Sequence, residues 1–129
     1  MRALVLRAHA AGMNAGESIV PMPMVVTERA NPLDDRSPVV RQYAPIMDGV
    51  CGFAWVSLRP ANSAFANFLK KEATALIGVT ARTDSYAGGV RLPVFAFNQS
   101  LTRKEAYAGA FAKVLGDAGF RAYADSRMD

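Results

Sequence analysis

Val50-Cys-Gly-Phe-Ala-Trp-Val-Ser-Leu58 is the stretch whose reading decides the fold. Asp48-Gly49 precedes it and Pro60 follows it, so a β-branched and aromatic run stands between two turn signals. That pattern predicts a strand. Side chains alternate across a strand with period two. Val50, Gly52, Ala54, Val56 and Leu58 therefore share one face, and Cys51, Phe53, Trp55 and Ser57 share the other.

Downstream, Asn62 or Ser63 can cap a helix. Its apolar stripe is Phe65, Phe68, Leu69, Ala73, Leu76 and Ile77, at helical spacing, with Gly78 as a stop. Val79–Thr83 reads as a second strand, Tyr86-Ala-Gly-Gly89 as a turn and Val90–Asn98 as a third strand. Thr102-Arg-Lys-Glu105 has the spacing of a capping box. The helix it would open carries Tyr107, Ala110, Phe111, Val114, Leu115 and Ala118, and Gly116 or Gly119 would end it. Phe120–Ala124 alternates as a last strand.

Strand, helix, strand, strand, helix, strand is the split βαβ rhythm. The expectation is an α+β, ferredoxin-like β-α-β-β-α-β sandwich over residues 47–129. It would have a four-stranded antiparallel sheet, two helices on one face, and the first and third strands in the centre.

Upstream the sequence changes character. Pro21, Pro23, Pro32, Pro38 and Pro45 crowd one segment, and proline removes ladder donors and breaks long helices. Short extended pieces are expected at Ala3–Leu6 and Met24–Thr27, and a turn at Asn31–Asp35. Residues 1–46 are read as an extended, proline-rich N-terminal arm.

Composition narrows the function classes. The chain has 129 residues, is 51% hydrophobic and carries a formal charge of +4. That size supports one core. Eleven of the 15 basic residues are Arg, a composition suited to phosphate or carboxylate contacts but also expected of a GC-rich genome. One cysteine, Cys51, and one histidine, His9, leave no material for a disulfide framework or a multi-ligand His/Cys metal site within one chain. No apolar run reaches the ~18 residues of a membrane span, and Arg7 interrupts the first apolar stretch, so no secretory signal is read. Nucleophile-elbow and phosphate-loop patterns are absent. Cys51 is expected to be a buried, unreactive thiol. The chain is read as non-enzymatic, without a cofactor.

The sharpest feature is the second face of the two central strands. Phe53 and Trp55 on the first, with Arg91, Phe95 and Phe97 on the third, leave aromatics on the side away from the helices. An apolar face of that size calls for a cover. Another protein subunit or the arm is one cover. Single-stranded nucleic acid, whose bases stack on aromatics, is the other. The placement resembles the RNA-recognition motif, although Val94-Phe-Ala-Phe97 lacks that family's basic-glycine opening and Pro93 is awkward in a central strand.

Asp48–Trp55, Tyr86–Val90, Gln99-Ser100 with Arg103–Ala106, and Ala122–Asp129 resemble small proteins of tailed bacteriophages. The likeness covers about residues 46–129. It implies a virion or host-cytoplasm setting and carries no catalytic residues. The leading expectation is a phage-type structural or assembly protein, a homo-oligomer or neighbour in a virion, acting through protein contacts. A single-stranded nucleic-acid-binding module is the first alternative. A small inhibitor of a host defence or host enzyme is the second.

Overall fold

The computed structural model describes residues 1–20, 27–29, 39–42, 51–98 and 100–128. The chain opens with helix α1, Arg2–Ser18. A short antiparallel pair follows, β1 (Thr27–Arg29) and β2 (Val39–Gln42). Then come β3 (Gly52–Arg59), α2 (Ala64–Ile77), β4 (Arg82–Thr83), β5 (Val90–Pro93), α3 (Leu101–Asp117) and β6 (Arg121–Met128). The last four strands form one antiparallel sheet in the order β4-β5-β3-β6. The architecture is α+β, with β5 and β3 in the interior of that sheet.

The alternation in β3 does what period two requires. Ala54, Val56 and Leu58 are buried, and so are Val90, Leu92 and Val94 of β5 and the residue after it. These side chains form one core with Phe65, Ala66, Leu69 and Ala73 of α2 and with Tyr107, Ala108, Phe111, Ala112 and Leu115 of α3. Burying a side chain such as Phe65 or Phe111 contributes about 1.5–3 kcal/mol. Phe65 also stacks on Phe120, with ring centroids 4.3 Å apart. That stacking fixes the entry to β6 against the start of α2.

The helix limits have local causes. The Ser63 hydroxyl accepts from the Ala66 N–H, and Gly78 ends α2 at φ 73°, a left-handed conformation that glycine adopts without steric cost. At α3 the cap is Ser100, whose hydroxyl accepts from the Arg103 N–H, rather than the box expected from Thr102 to Glu105. The start is set two residues earlier because Ser100 also bridges to Cys51 beside β3.

Three further expectations need correction. First, the two-helix sandwich with an extended arm is not what the chain builds, because residues 2–18 are helical. The prolines that argue against a helix all begin at Pro21, whereas the preceding segment is rich in alanine, the best helix former. Val5, Ala8, Gly12 and Gly16 line its buried side, and Val5 and Ala8 belong to the common core. The expected extended piece at Ala3–Leu6 is thus a helical turn. Second, β5 ends at Pro93, with one more ladder bond from the Val94 N–H to the Ala54 carbonyl at 2.9 Å before the chain turns off through positive φ at Phe97 and Asn98, and β4 is confined to Arg82–Thr83. Third, Cys51 is half-buried rather than buried. The arm's boundary at residue 46 and the turn at Asn31–Asp35 lie outside the described residues.

Candidate functional site

Among the described residues the helices pack on the core side of the sheet, with α1 against α3 and α2, and the opposite face is the candidate surface. Register places its members. Across β3 and β6, Phe53 faces Arg127, Trp55 faces Asp125, Ser57 faces Tyr123 and Arg59 faces Arg121. Across β3 and β5, Trp55 faces Pro93 and Ser57 faces Arg91, and Arg91 in turn faces Arg82 on β4. Five arginines therefore share one face: Arg59, Arg82, Arg91, Arg121 and Arg127.

Two of these contacts, Arg59 with Arg121 and Arg82 with Arg91, set like charges directly across a strand pair. Such pairs are destabilising. The fold relieves them in part. The Arg59 guanidinium donates to the Ala87 carbonyl at 3.1 Å, and Arg91 pairs with Asp84 at 3.3 Å. Asp84 is itself held by the turn: its carboxylate accepts from the Tyr86 and Ala87 N–H groups at 3.0 Å. The Ala87 and Tyr86 hydrogen bonds, with the nearby Arg91 and Arg59 charges, keep the Asp84 carboxyl below the usual carboxylate range. Asp125 adds an acid to the face, with one oxygen engaged by the Ser126 N–H.

The aromatics are interleaved with these cations. The Arg91 guanidinium carbon lies 4.0 Å from the Trp55 ring centroid. Phe53 has Arg127 at 5.5 Å and Lys104 at 5.9 Å from its centroid. Cation–π contacts of this kind contribute roughly 0.5–2 kcal/mol each. Phe53 is 40% exposed and Phe95 69% exposed, so ring surface is left in water. Lys104 reaches the rim from the first turn of α3 and is 4% exposed, and burial pushes its ammonium pKa down.

Two grooves run through this surface. One, of about 690 Å³, is lined by Phe53, Trp55, Lys104 and Arg127. The other, of about 500 Å³, is lined by Thr80, Arg82, Thr83 and Asp84. Arg91, Pro93 and Phe95 line both.

The structure thus brings together Phe53, Trp55, Arg91 and Phe95, four of the five residues singled out in the sequence. Phe97 is a correction. After Val94 the chain leaves the sheet, and Phe97 and Asn98 take φ values of 67° and 53°. That reversal swings the Phe97 ring to the helix side, where it packs at an angle to Tyr107 with centroids 6.5 Å apart. The sequence reading missed Arg59, Arg82, Arg121 and Arg127. They sit on three strands, β3, β4 and β6, and only register unites them.

His9 meets the Tyr107 hydroxyl between α1 and α3, on the far side of the sheet from the arginines. Among the described residues, no cluster of three or more His, Cys, Asp or Glu could hold a metal ion, and no helix is long and apolar enough to cross a membrane. No family model, curated protein or solved structure matches the chain.

Proposed function

We propose that this protein is a non-catalytic binding module for single-stranded nucleic acid, and that the open sheet face is its interface. The observation that carries this reading is the gathering of five arginines, in register, around Phe53, Trp55 and Phe95 on a face that no helix among the described residues covers. The Arg82–Arg91 pair, set directly across β4 and β5, is a local cost that a bound polyanion removes. Exposed rings between the cations suit unpaired bases, which a duplex does not offer.

We further infer that the segment from Gly52 to Met128 follows the split βαβ, ferredoxin-like plan with α1 added to it. The interior positions of β3 and β5 support this; β3 carries Phe53 and Trp55, and Phe95 follows two residues after β5.

A second reading keeps a phage-type setting and covers the same face with another protein subunit. The exposure of Phe53 and Phe95 favours it. An extended arm free to reach a partner would have supported it, but residues 2–18 form a helix that docks on its own domain.

Trp55 is the chain's one tryptophan, so its emission reports on the site directly. Titration of the full chain with oligothymidylate should change that emission. Binding should weaken as salt rises, and a duplex of equal length should bind less well. Phe53→Ala should weaken single-strand binding by about 1–3 kcal/mol without loss of fold. Absence of salt-sensitive single-strand binding, together with self-association that Phe53→Ala abolishes, would establish the subunit-contact reading instead.

A further inference from the structure

We propose that the bound strand crosses the sheet from Arg127 to Arg82 along the two joined grooves, with Arg91 as the anchor at their junction and Trp55 as its pedestal. This rests on the single-strand reading above and specifies the path and the role of each residue.

The path follows from which residues line which groove. Arg127 lies only in the first, Arg82 only in the second, and Arg91, Pro93 and Phe95 lie in both. The route passes over β6, β3, β5 and β4 in spatial order. Four neighbouring strands span three spacings, about 14 Å at ~4.8 Å each. Arg59 and Arg121 share the face but line neither groove, so they stand off the path. Lys104 lines the first groove but is itself only 4% exposed beside the Phe53 ring, and is left out of the phosphate count. Three arginines remain, for a footprint of about three nucleotides, comparable to the two or three bases stacked on a four-stranded RNA-binding sheet.

The assignment of Trp55 follows from what occupies its ring. Arg91 lies on one face of it at 4.0 Å and is tied from the side by Asp84. Trp55 is half-buried, whereas Phe53 and Phe95 are more open. A base reaching this point meets the guanidinium first. Phe53 and Phe95 are the stacking rings, and Trp55 is a positioning residue that holds Arg91 flat and aimed outward. A guanidinium fixed in this way loses less freedom on binding than a free one.

Oligothymidylate affinity measured against salt tests the path. Three phosphate contacts on a single strand give a slope of log K on log salt near −2, at about −0.7 per contact. Arg82→Ala, Arg91→Ala and Arg127→Ala should each make it shallower by about 0.7. Arg59→Ala and Arg121→Ala should leave it unchanged. Equal effects at all five positions would mean diffuse attraction and overturn the track. A change at Arg127 but none at Arg82 would mean the strand does not cross the sheet.

A double-mutant cycle tests the pedestal. Trp55→Ala should lower affinity and make the slope shallower as Arg91→Ala does, and Trp55→Phe should restore both. The double variant should bind no worse than Arg91→Ala alone. Additive losses would mean that Trp55 stacks on a base itself and would overturn its role as pedestal. If the wild type binds no single strand at all, the functional reading falls as well. Binding with the wrong pattern of slopes defeats only the path. Far-ultraviolet circular dichroism checks that each variant remains folded.

Discussion

Gly12 of α1 lies flat against the ring of Tyr107 on α3: a Cβ at Gly12 would come within 2.6 Å of the Tyr107 Cδ2 atom. The notch lets the two helices approach closely enough for the Tyr107 hydroxyl to meet His9 Nδ1, with the rings edge-on and centroids 5.6 Å apart. Gly16 forms a second notch, which the Phe97 ring fills. Small residues on one side of α1 thus decide that it docks.

Substituting these glycines should reverse the usual helix-propensity effect. Gly→Ala in a helix interior normally gains about 1 kcal/mol. At Gly12 the added methyl meets a buried ring that has no room to withdraw, and overpacking costs about 1–3 kcal/mol. Gly12→Ala should therefore lower the urea midpoint. Gly109, on α3, has nothing within 4 Å of its would-be Cβ, so Gly109→Ala should raise it. A gain at both sites would show that α1 is not packed against Tyr107.

The start of α3 allows a clean comparison of two hydroxyls. Ser100 accepts from the Arg103 N–H at 3.4 Å, whereas Thr102 is already inside the helix and exposed. Ser100→Ala should cost about 1 kcal/mol in chemical denaturation, and Thr102→Ala should stay within ±0.5 kcal/mol. The reverse ranking would restore the capping box read from the sequence.

Tyr107 makes stability sensitive to alkali. Burial pushes its phenol well above the ordinary tyrosine value of 10.0. Between the unfolded and folded pKa values the unfolded chain has lost the proton and the native one has kept it. Stability is therefore full below about pH 10 and falls as pH rises beyond it. Urea midpoints measured from pH 9 to 11 should fall more steeply in the wild type than in Tyr107→Phe. The variant should also start lower, by about 1 kcal/mol, for want of the bond to His9.

Lys104 has the opposite sign. Burial lowers its pKa below the ordinary lysine value of 10.5, so the native state gives up its proton first. Stability from this group rises with pH between the folded pKa and about 10.5, and at neutral pH the buried charge is a cost. Lys104→Met should raise the urea midpoint at pH 7 and flatten the pH dependence just below 10.5. An unchanged or lower midpoint would mean that contacts of the ammonium outweigh its desolvation.

Some of this was legible in the sequence because the cause was local. Alternation through Phe53–Leu58 put Phe53 and Trp55 opposite Ala54 and Val56, and the structure keeps them there. Ser63 and Gly78 bracket α2, because a side-chain acceptor and a left-handed glycine act within a turn of the helix they bound. Four antiparallel strands followed from the same short-range pattern.

Other features depended on contacts distant in sequence. Residues 2–18 showed no strong apolar stripe, and the helix they form is selected by the fit of Gly12 and Gly16 to Tyr107 and Phe97, more than eighty positions away. Phe97 left the aromatic face because two non-glycine residues adopt positive φ, which nothing in Val94-Phe-Ala-Phe97 announces. The arginine face had no local signature at all. Arg59, Arg82, Arg91, Arg121 and Arg127 are scattered along the chain, and strand register alone sets them side by side. Periodicity determines which way a side chain points. Pairing, which is settled only when the whole sheet closes on its core, determines what it points beside.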